Sequence, residues 1–114
     1  MVLSVSAGQA LQLWHDVNLH MARDDEPDLS VRQISILLTV YLEAPPHTIR
    51  DLAAKLAVSK PVITRALDSM GKLELVSRRR DAHDRRNVLV QRTVKGALYL
   101  ERLADLIGNV GKKL

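Results

Sequence analysis

The chain has 114 residues with 46% hydrophobic and 26% charged side chains, which is the composition of one compact globular domain. Cysteine is absent, so disulfides, thiol catalysis and cysteine-based zinc sites are excluded. One tryptophan, two tyrosines and no phenylalanine disfavour a single-strand nucleic-acid binder, because such proteins stack bases on several aromatic rings.

Neither a signal peptide nor a membrane span is expected from the apolar segments. Residues 1–8 do not combine a basic region with an apolar run, and such a combination marks a secretory signal. The longest apolar stretch, residues 34–42, is interrupted by polar residues and is too short to cross a bilayer. We therefore expect a cytoplasmic protein that makes no membrane contact.

Positive charge is concentrated in the second half of the chain. The formal net charge is +4, with −3 on residues 1–57 and +7 on residues 58–114. Residues 78–86 alone contain five arginines and two aspartates. Such a distribution favours a polyanionic partner, and nucleic acid is the usual one. On charge alone, a solvated basic surface is an equally good interpretation.

Two amphipathic helices are predicted in the first half. The first spans about residues 6–23, where apolar residues recur at steps of three and four, and an acidic segment containing Pro27 ends it. Ser30 and Gln33 form a capping-box pattern, so the second helix should run from Ser30 to about Glu43. Pro45 and Pro46 stop it.

Two shorter helices follow and are separated by a tight turn. Thr48 and Asp51 form an N-cap signature that opens a helix extending to about Ala57. Ser59 should cap the next helix, in whose first turn Pro61 is tolerated. The spacing predicts that this helix buries one stripe, formed by Ile63, Ala66, Leu67 and Met70.

From residue 75 the apolar side chains alternate with a period of two, as in a strand, and from residue 93 they return to the spacing of a helix. Residues 75–78 and 87–91 read as the strands of a hairpin with a polar loop at 79–86. Thr93 can cap a last helix, residues 93–110. The expected fold is thus mainly α with a small β-hairpin wing. Two short helices followed by a hairpin are the order of a winged helix-turn-helix.

Five motifs in this order resemble those of the MarR (multiple antibiotic resistance regulator) family of bacterial transcription factors. They are Thr48–Leu56 as T-x-x-(E/D)-L-A-x-x-L, Ser59–Asp68 as the recognition helix, Leu75–Arg79 as L-V-x-R, Asp81–Arg86 as D-x-x-D-R-R, and Thr93–Gly96 as T-x-x-G. The resemblance implies that residues 1–114 form one winged helix DNA-binding domain. Its flanking N- and C-terminal helices would form the interface of a homodimer.

The recognition helix and the wing supply the candidate contacts to double-stranded DNA. Arg65 faces outward and suits bidentate reading of guanine, although an ion pair with Asp68 is an alternative. Arg85 and Arg86 should reach a minor groove or its flanking phosphates, and Asp84 should orient one of them. The full set comprises Thr48, Ser59, Lys60, Pro61, Val62, Thr64, Arg65, Arg78, Arg80, Arg85 and Arg86.

Apolar stripes on the terminal helices favour a dimer, with packing inside one chain as the alternative. A two-fold axis would place two recognition helices one turn of DNA apart, which predicts a pseudo-palindromic site. The expected interface comprises Leu11, Trp14, Val17, Leu100, Leu103, Ile107 and Val110.

Three residues depart from the family pattern. Glu74 stands where glycine is usual, so a positive φ there would be strained unless Gly71 moves the turn. Val62 replaces a common threonine, which leaves an apolar touch on a thymine methyl. Arg92 replaces a common leucine.

The sequence gives little support for metal binding or catalysis. Asp16 and His20 share a helix face, but a metal site needs at least a third ligand. No phosphate loop or nucleophile elbow occurs, so we expect no enzymatic activity, no metal and no cofactor. The resemblance also implies a small-molecule effector of unknown identity.

The hypothesis is a transcriptional regulator, and more specifically a repressor. Two alternatives remain open at this point. One is a winged-helix protein-interaction module without DNA binding, and the other is a phage or plasmid replication or partition factor.

Overall fold

The computed structural model describes residues 5–114 as five helices and one hairpin. Residues 1–4 lie outside the described residues, and with them part of the segment assessed for a signal peptide. The elements are α1 (Ala7–Arg23), α2 (Val31–Leu42), α3 (Ile49–Leu56), α4 (Lys60–Lys72), β1 (Val76–Arg80), β2 (Val88–Arg92) and α5 (Val94–Gly111).

The described part of the chain contains two compact units. Residues 29–100 make up the winged-helix unit, and residues 5–28 together with 101–114 make up the second. The second unit therefore contains α1 and the latter part of α5, the terminal helices expected to flank the winged helix. Within residues 5–114, no helix is both long and apolar enough to cross a membrane.

Aliphatic side chains form the core of the winged-helix unit. Ile63, Leu67 and Met70 of α4 are fully buried and Ala66 is partly buried, which confirms the stripe predicted from the spacing. They pack with aliphatic residues of α2, α3, the turn before β1 and the two strands, namely Ile36, Leu37, Val40, Leu52, Leu75, Val76 and Val90. The core therefore fixes which side of α4 faces outward.

Local caps start most of the helices as the sequence predicts. Ser30 Oγ accepts from the Gln33 amide at 3.1 Å, and Gln33 Oε1 accepts from the Ser30 amide at 2.8 Å. Thr48 Oγ1 accepts from the Asp51 amide at 3.0 Å. Ser6 and Gln9 form a second capping box, which the sequence analysis did not identify.

Ser59 departs from its predicted role. It occupies the N-cap of α4, yet its hydroxyl accepts no backbone hydrogen bond there. Pro61 has no N–H to donate, and the Val62 amide donates to the Ser59 carbonyl instead, at 3.2 Å. The prediction that this side chain caps the helix was therefore wrong, and the hydroxyl stays available to a ligand.

The hairpin is longer than expected and has a neighbour on its outer edge. β1 and β2 pair antiparallel from Val76↔Arg92 to Arg80↔Val88, so β1 continues two residues beyond its predicted end. Thr48 forms a bridge with Leu89. This non-local contact places the start of α3 against the wing, and no local sequence pattern indicates it.

Tyr41 and Thr93 join three segments of the unit. The Tyr41 hydroxyl accepts from the Thr93 amide at 2.8 Å and donates to the Thr93 carbonyl. Thr93 Oγ1 donates to the Glu74 carbonyl at 2.7 Å and accepts from the Gly96 amide at 2.9 Å. A side chain at Gly96 would collide with the Leu75 carbonyl and the Tyr41 hydroxyl, so close packing explains the glycine of the T-x-x-G motif.

Arg92 caps the C-terminus of α2. Its Nε donates to the Val40 carbonyl at 3.0 Å, and an Nη donates to the Tyr41 carbonyl at 3.1 Å. A guanidinium is favourable at this end of a helix, where carbonyl groups lack partners and the dipole is negative. This contact gives a physical reason for arginine where leucine is common.

Strain occurs at the turn between α4 and β1. Glu74 has φ 61°, a left-handed conformation that costs a side chain with a Cβ roughly 1 kcal/mol. Gly71 lies inside α4, so it does not move the turn, and the strain predicted for Glu74 is confirmed.

We predict that Glu74→Gly raises the free energy of unfolding by about 1 kcal/mol, because glycine adopts a positive φ without a Cβ clash. Urea denaturation measures the change. Glu74→Ala is the control, since it removes the carboxylate that lies 3.9 Å from Lys95 Nζ but keeps the Cβ. Equal stability of the two variants would contradict the strain argument.

Candidate nucleic-acid interface

The first turns of α4 present free polar and cationic groups. Ser59, Lys60 and Pro61 are exposed, and the side chains of Val62 and Thr64 are partly exposed. Pro61 has no N–H, and the Val62 amide donates to the Ser59 carbonyl, so the exposed side chains rather than the backbone amides are the groups that suit phosphate here. The structure thus brings these predicted residues together at one end of α4.

Arg65 extends from the outer side of α4 without an internal partner. It is exposed, and no hydrogen bond or ion pair within residues 5–114 involves its guanidinium. Asp68, the alternative partner considered for it, binds Arg78 instead, with Oδ1 2.8 Å from Nη2. The alternative that Arg65 pairs with Asp68 is therefore wrong.

Two of the predicted DNA contacts are used inside the protein. The guanidinium of Arg78 binds Asp68 on α4, and Nη1 of Arg80 donates to the Arg85 carbonyl at 3.0 Å across the hairpin. Arg78 and Arg80 lie two residues apart on one strand, so their side chains share a face. Arg79 lies on the other face and is exposed.

An aspartate holds one of the two arginines at the wing tip. Arg86 donates from Nε and Nη2 to the Asp84 carboxylate at 3.0 and 3.1 Å, and this confirms the orienting role predicted for Asp84. Hydrogen bonds from the Arg86 side chain and backbone lower the pKa of Asp84, and the same pair raises the pKa of Arg86. The side chain of Arg85 is exposed and has no partner in the described part of the chain.

Arg50 is a candidate that the sequence analysis missed. It is exposed on the first turn of α3, which the Thr48–Leu89 bridge places beside the wing. It also lies close enough to Asp84 to lower the pKa of that carboxyl. Helical spacing alone indicates that Arg50 faces outward, but the proximity to the wing is visible in the tertiary structure alone.

Thr48 is poorly placed for a ligand. It is 8% exposed, and its hydroxyl accepts from the Asp51 amide. Its capping and bridging roles account for the residue, so we leave it out of the DNA contacts proposed below.

The apolar residues predicted for a dimer interface fall into two groups. Leu11, Trp14 and Ile107 are 72%, 58% and 40% exposed, and Leu103 is partly buried. Val17 and Val110 are buried within the chain, and Leu100 packs against the winged-helix core. The first group is available to a partner, whereas the second is already used.

The histidine-bearing face of α1 holds no metal-like cluster. His20 Nδ1 lies 2.9 Å from the Asp16 carbonyl oxygen, and His15 Nδ1 lies 3.7 Å from the Asp16 carboxylate. In the part of the chain that the structure describes, no three metal-binding side chains come together.

The sequence profile of the MarR family matches residues 29–88, more than half of the chain. This chain belongs to the MarR family. MarR-family proteins are transcriptional regulators, and the matched segment contains α2, α3, α4, β1 and the wing loop. No curated protein matches the sequence.

Solved structures confirm the winged-helix fold of this MarR-family protein. Transcriptional regulator Tm0710 from Thermotoga maritima has a TM-score of 0.76 and 21% identity, with 91% of this chain and 70% of that chain covered. Transcriptional regulator BldR from Sulfolobus solfataricus has a TM-score of 0.65 and 29% identity, with 93% and 70% covered. A MarR mutant from E. coli complexed with operator DNA has a TM-score of 0.68 and 24% identity, with 93% and 70% covered.

We predict that Asp84 titrates below the ordinary range of an aspartate and that Arg86→Gln returns its pKa toward that range. Since the folded-state pKa is depressed, the stabilisation from this pair is present above the unfolded pKa and is lost as the pH falls through the folded one. Carboxyl-carbon NMR titration measures the shift. Asp105, on α5 and outside the wing, serves as the control, and an unchanged Asp84 titration in the variant would contradict the pairing.

Proposed function

We propose that this MarR-family protein is a sequence-specific regulator that binds double-stranded DNA as a homodimer and represses transcription. The observation that carries the proposal is the set of cations left without an internal ion pair on the elements that a winged helix turns toward DNA. Among residues 5–114 they include Lys60 and Arg65 on α4, Arg85 on the wing and Arg50 on α3. The DNA complex of the E. coli MarR mutant supports the same use of the fold.

The start of α4 supplies the proposed contacts in the major groove. In a helix-turn-helix, the N-terminal residues of the second helix meet base edges. Arg65 has the length and freedom for bidentate contact with guanine, and Val62 offers methyl groups to thymine. The free Ser59 hydroxyl and Lys60 suit phosphate, with Pro61 and Thr64 beside them.

The wing and α3 supply the proposed contacts outside that groove. Arg85 is free to enter a minor groove, whose negative potential attracts arginine. Arg86 is oriented by Asp84 and keeps an exposed guanidinium, so it can meet a flanking phosphate. Arg50 extends this surface along the start of α3.

A two-fold dimer explains the exposed apolar side chains of the terminal helices. Leu11, Trp14 and Ile107 would pack across the axis, because large apolar groups exposed together on a soluble protein mark an interface. Two recognition helices related by this axis would read half-sites about one turn of DNA apart. The operator is therefore expected to be pseudo-palindromic.

Repression is the mode of regulation that requires the least of the protein beyond DNA binding. A repressor needs to occupy DNA that polymerase must use, whereas an activator also needs a specific surface for the transcription machinery. The small-molecule effector and the cytoplasmic location implied by the sequence stay predictions.

We predict that wild-type protein binds random duplex DNA with an affinity that falls steeply with salt, through counterion release. Arg85→Gln should weaken binding and lower the salt slope by about 1, because one cation fewer then displaces counterions from the DNA. Arg65→Gln should weaken binding to a selected operator by about tenfold or more and relax preference at one base pair. Fluorescence anisotropy over a salt series measures both effects.

The control for this experiment is Arg23→Gln, which removes an exposed positive charge at the end of α1. It should leave affinity and slope near the wild-type values. If wild-type protein binds no duplex even at low salt, the proposal fails and a protein-interaction module becomes the better interpretation. Similar losses from all three variants would indicate a non-specific charge effect.

We predict that Leu11→Glu converts a dimer to a monomer, because the charge would be buried at the axis. Sedimentation equilibrium measures the mass. Val31→Glu, at an equally exposed apolar site on α2, should remain dimeric. Trp14 is the single tryptophan, so its emission should shift to shorter wavelength on association; a wild-type monomer at micromolar concentration contradicts the interface.

A further inference from the structure

We propose that Arg78 and Asp68 form a positioning pair that fixes the wing relative to the recognition helix, so that Arg78 raises sequence specificity without contacting DNA. The inference rests on the proposed function, because it concerns how the same surface discriminates among sequences. It also reassigns Arg78, which the sequence analysis placed among the DNA contacts.

The pair bridges the two elements that would enter different grooves. Arg78 Nη2 donates to Asp68 Oδ1 at 2.8 Å, and the two side chains are 33% and 55% exposed. Asp68 lies on the outer side of α4 about one turn before its end, and Arg78 lies in the middle of β1. A Cβ placed on Gly71 would lie 4.0 Å from the same Arg78 nitrogen, so the guanidinium lies along the surface of α4.

Arg78 thereby adds a second fixed point to a short connection. Residues 73–75 alone separate α4 from β1, and the Leu75 amide donates to the Met70 carbonyl at 3.0 Å. That turn fixes where β1 starts. Val76 at the start of β1 is buried in the core, whereas residues 77–80 are exposed. The Asp68 contact holds the strand in this exposed part, and it thereby adds to the constraint on the angle between α4 and β1.

A second hydrogen bond carries the same constraint toward the wing tip. Arg80 shares the face of Arg78 on β1 and donates to the Arg85 carbonyl at 3.0 Å. The backbone that bears Arg85 is therefore tied to β1, and β1 is tied to α4. In this way the reach of Arg85 is set relative to Arg65.

Such a pair should act on specificity rather than on overall affinity. Random DNA is held through phosphates at whatever spacing is available, and it demands no one angle between wing and helix. An operator presents base edges and a narrow groove at defined distances from each other. It is therefore bound more tightly when the angle between the wing and the recognition helix is fixed. An exposed ion pair contributes little by itself, so the expected effect is small and must be measured as a ratio.

The test compares Arg78→Gln, Asp68→Asn and the double variant for binding to a selected operator and to random duplex, over a salt series. Each single variant should lower the ratio of operator to random affinity by about threefold to fivefold. The double variant should lower it no further, since both changes break one interaction. Arg78→Gln should leave the salt slope unchanged, whereas the contact control Arg85→Gln lowers it by about 1.

A measurement on the DNA-free protein checks the coupling separately. Hydrogen exchange of the β1 and β2 amides should be faster in either single variant and no faster in the double variant, with circular dichroism confirming that all variants are folded. Equal exchange rates in wild type and Arg78→Gln would overturn the proposal.

The DNA measurements contain two outcomes that contradict it further. A lowered salt slope for Arg78→Gln would show that Arg78 is itself a phosphate contact. Additive losses in the double variant, or an unchanged ratio, would show that the pair does not position the wing. Both outcomes appear with wild-type binding intact, whereas failure of the proposed function appears as absent wild-type binding and removes the positioning role with it.

Discussion

The winged-helix unit depends on the hydroxyl of Tyr41, which binds both backbone groups of Thr93. Through the side chain of Thr93 this contact reaches the Glu74 carbonyl and the start of α5. The end of α2, the turn into β1 and the exit from β2 are thereby held together. Each such hydrogen bond contributes about 1 kcal/mol to the stability of the fold. Their placement matters more, because they anchor the segment before β1 and the segment after β2 to the core.

The arginines in the second half of the chain have two different roles. Arg78, Arg80 and Arg92 donate to groups inside the protein and build the hairpin and its attachment. Within residues 5–114, the side chains of Arg65 and Arg85 are exposed and make no hydrogen bond or ion pair. A partner therefore meets fewer cations than the charge count suggests, and their positions depend on the arginines that it does not touch.

Residues in the left-handed backbone conformation lie on both sides of α4. Ala57, with φ 56°, ends α3 and turns the chain toward α4, and Glu74, with φ 61°, leads out of it. Both are non-glycine residues in a conformation that costs roughly 1 kcal/mol or more each. Core packing of Leu67, Met70 and Leu75 supports these turns.

Local sequence patterns are enough to predict the helices, the hairpin and the resemblance to MarR regulators. Those features follow from local physics: apolar spacing, the caps at Ser30 and Thr48, the prolines after α2, and motifs that lie within a few residues. The inward stripe of α4, and with it the outward direction of Arg65, follows from the same period.

Which of the predicted site residues are available to a ligand depends on contacts between distant parts of the chain. Asp68 binds Arg78, which lies ten residues later in the chain. Leu89 of β2 forms a bridge with Thr48, which lies before α3. Val17 is buried while Leu11 and Trp14 stay exposed, although all three belong to the apolar stripe predicted for α1. Periodicity reports the direction of a side chain from its own helix or strand, but the partner that meets it comes from a distant part of the chain, and only folding brings the two together.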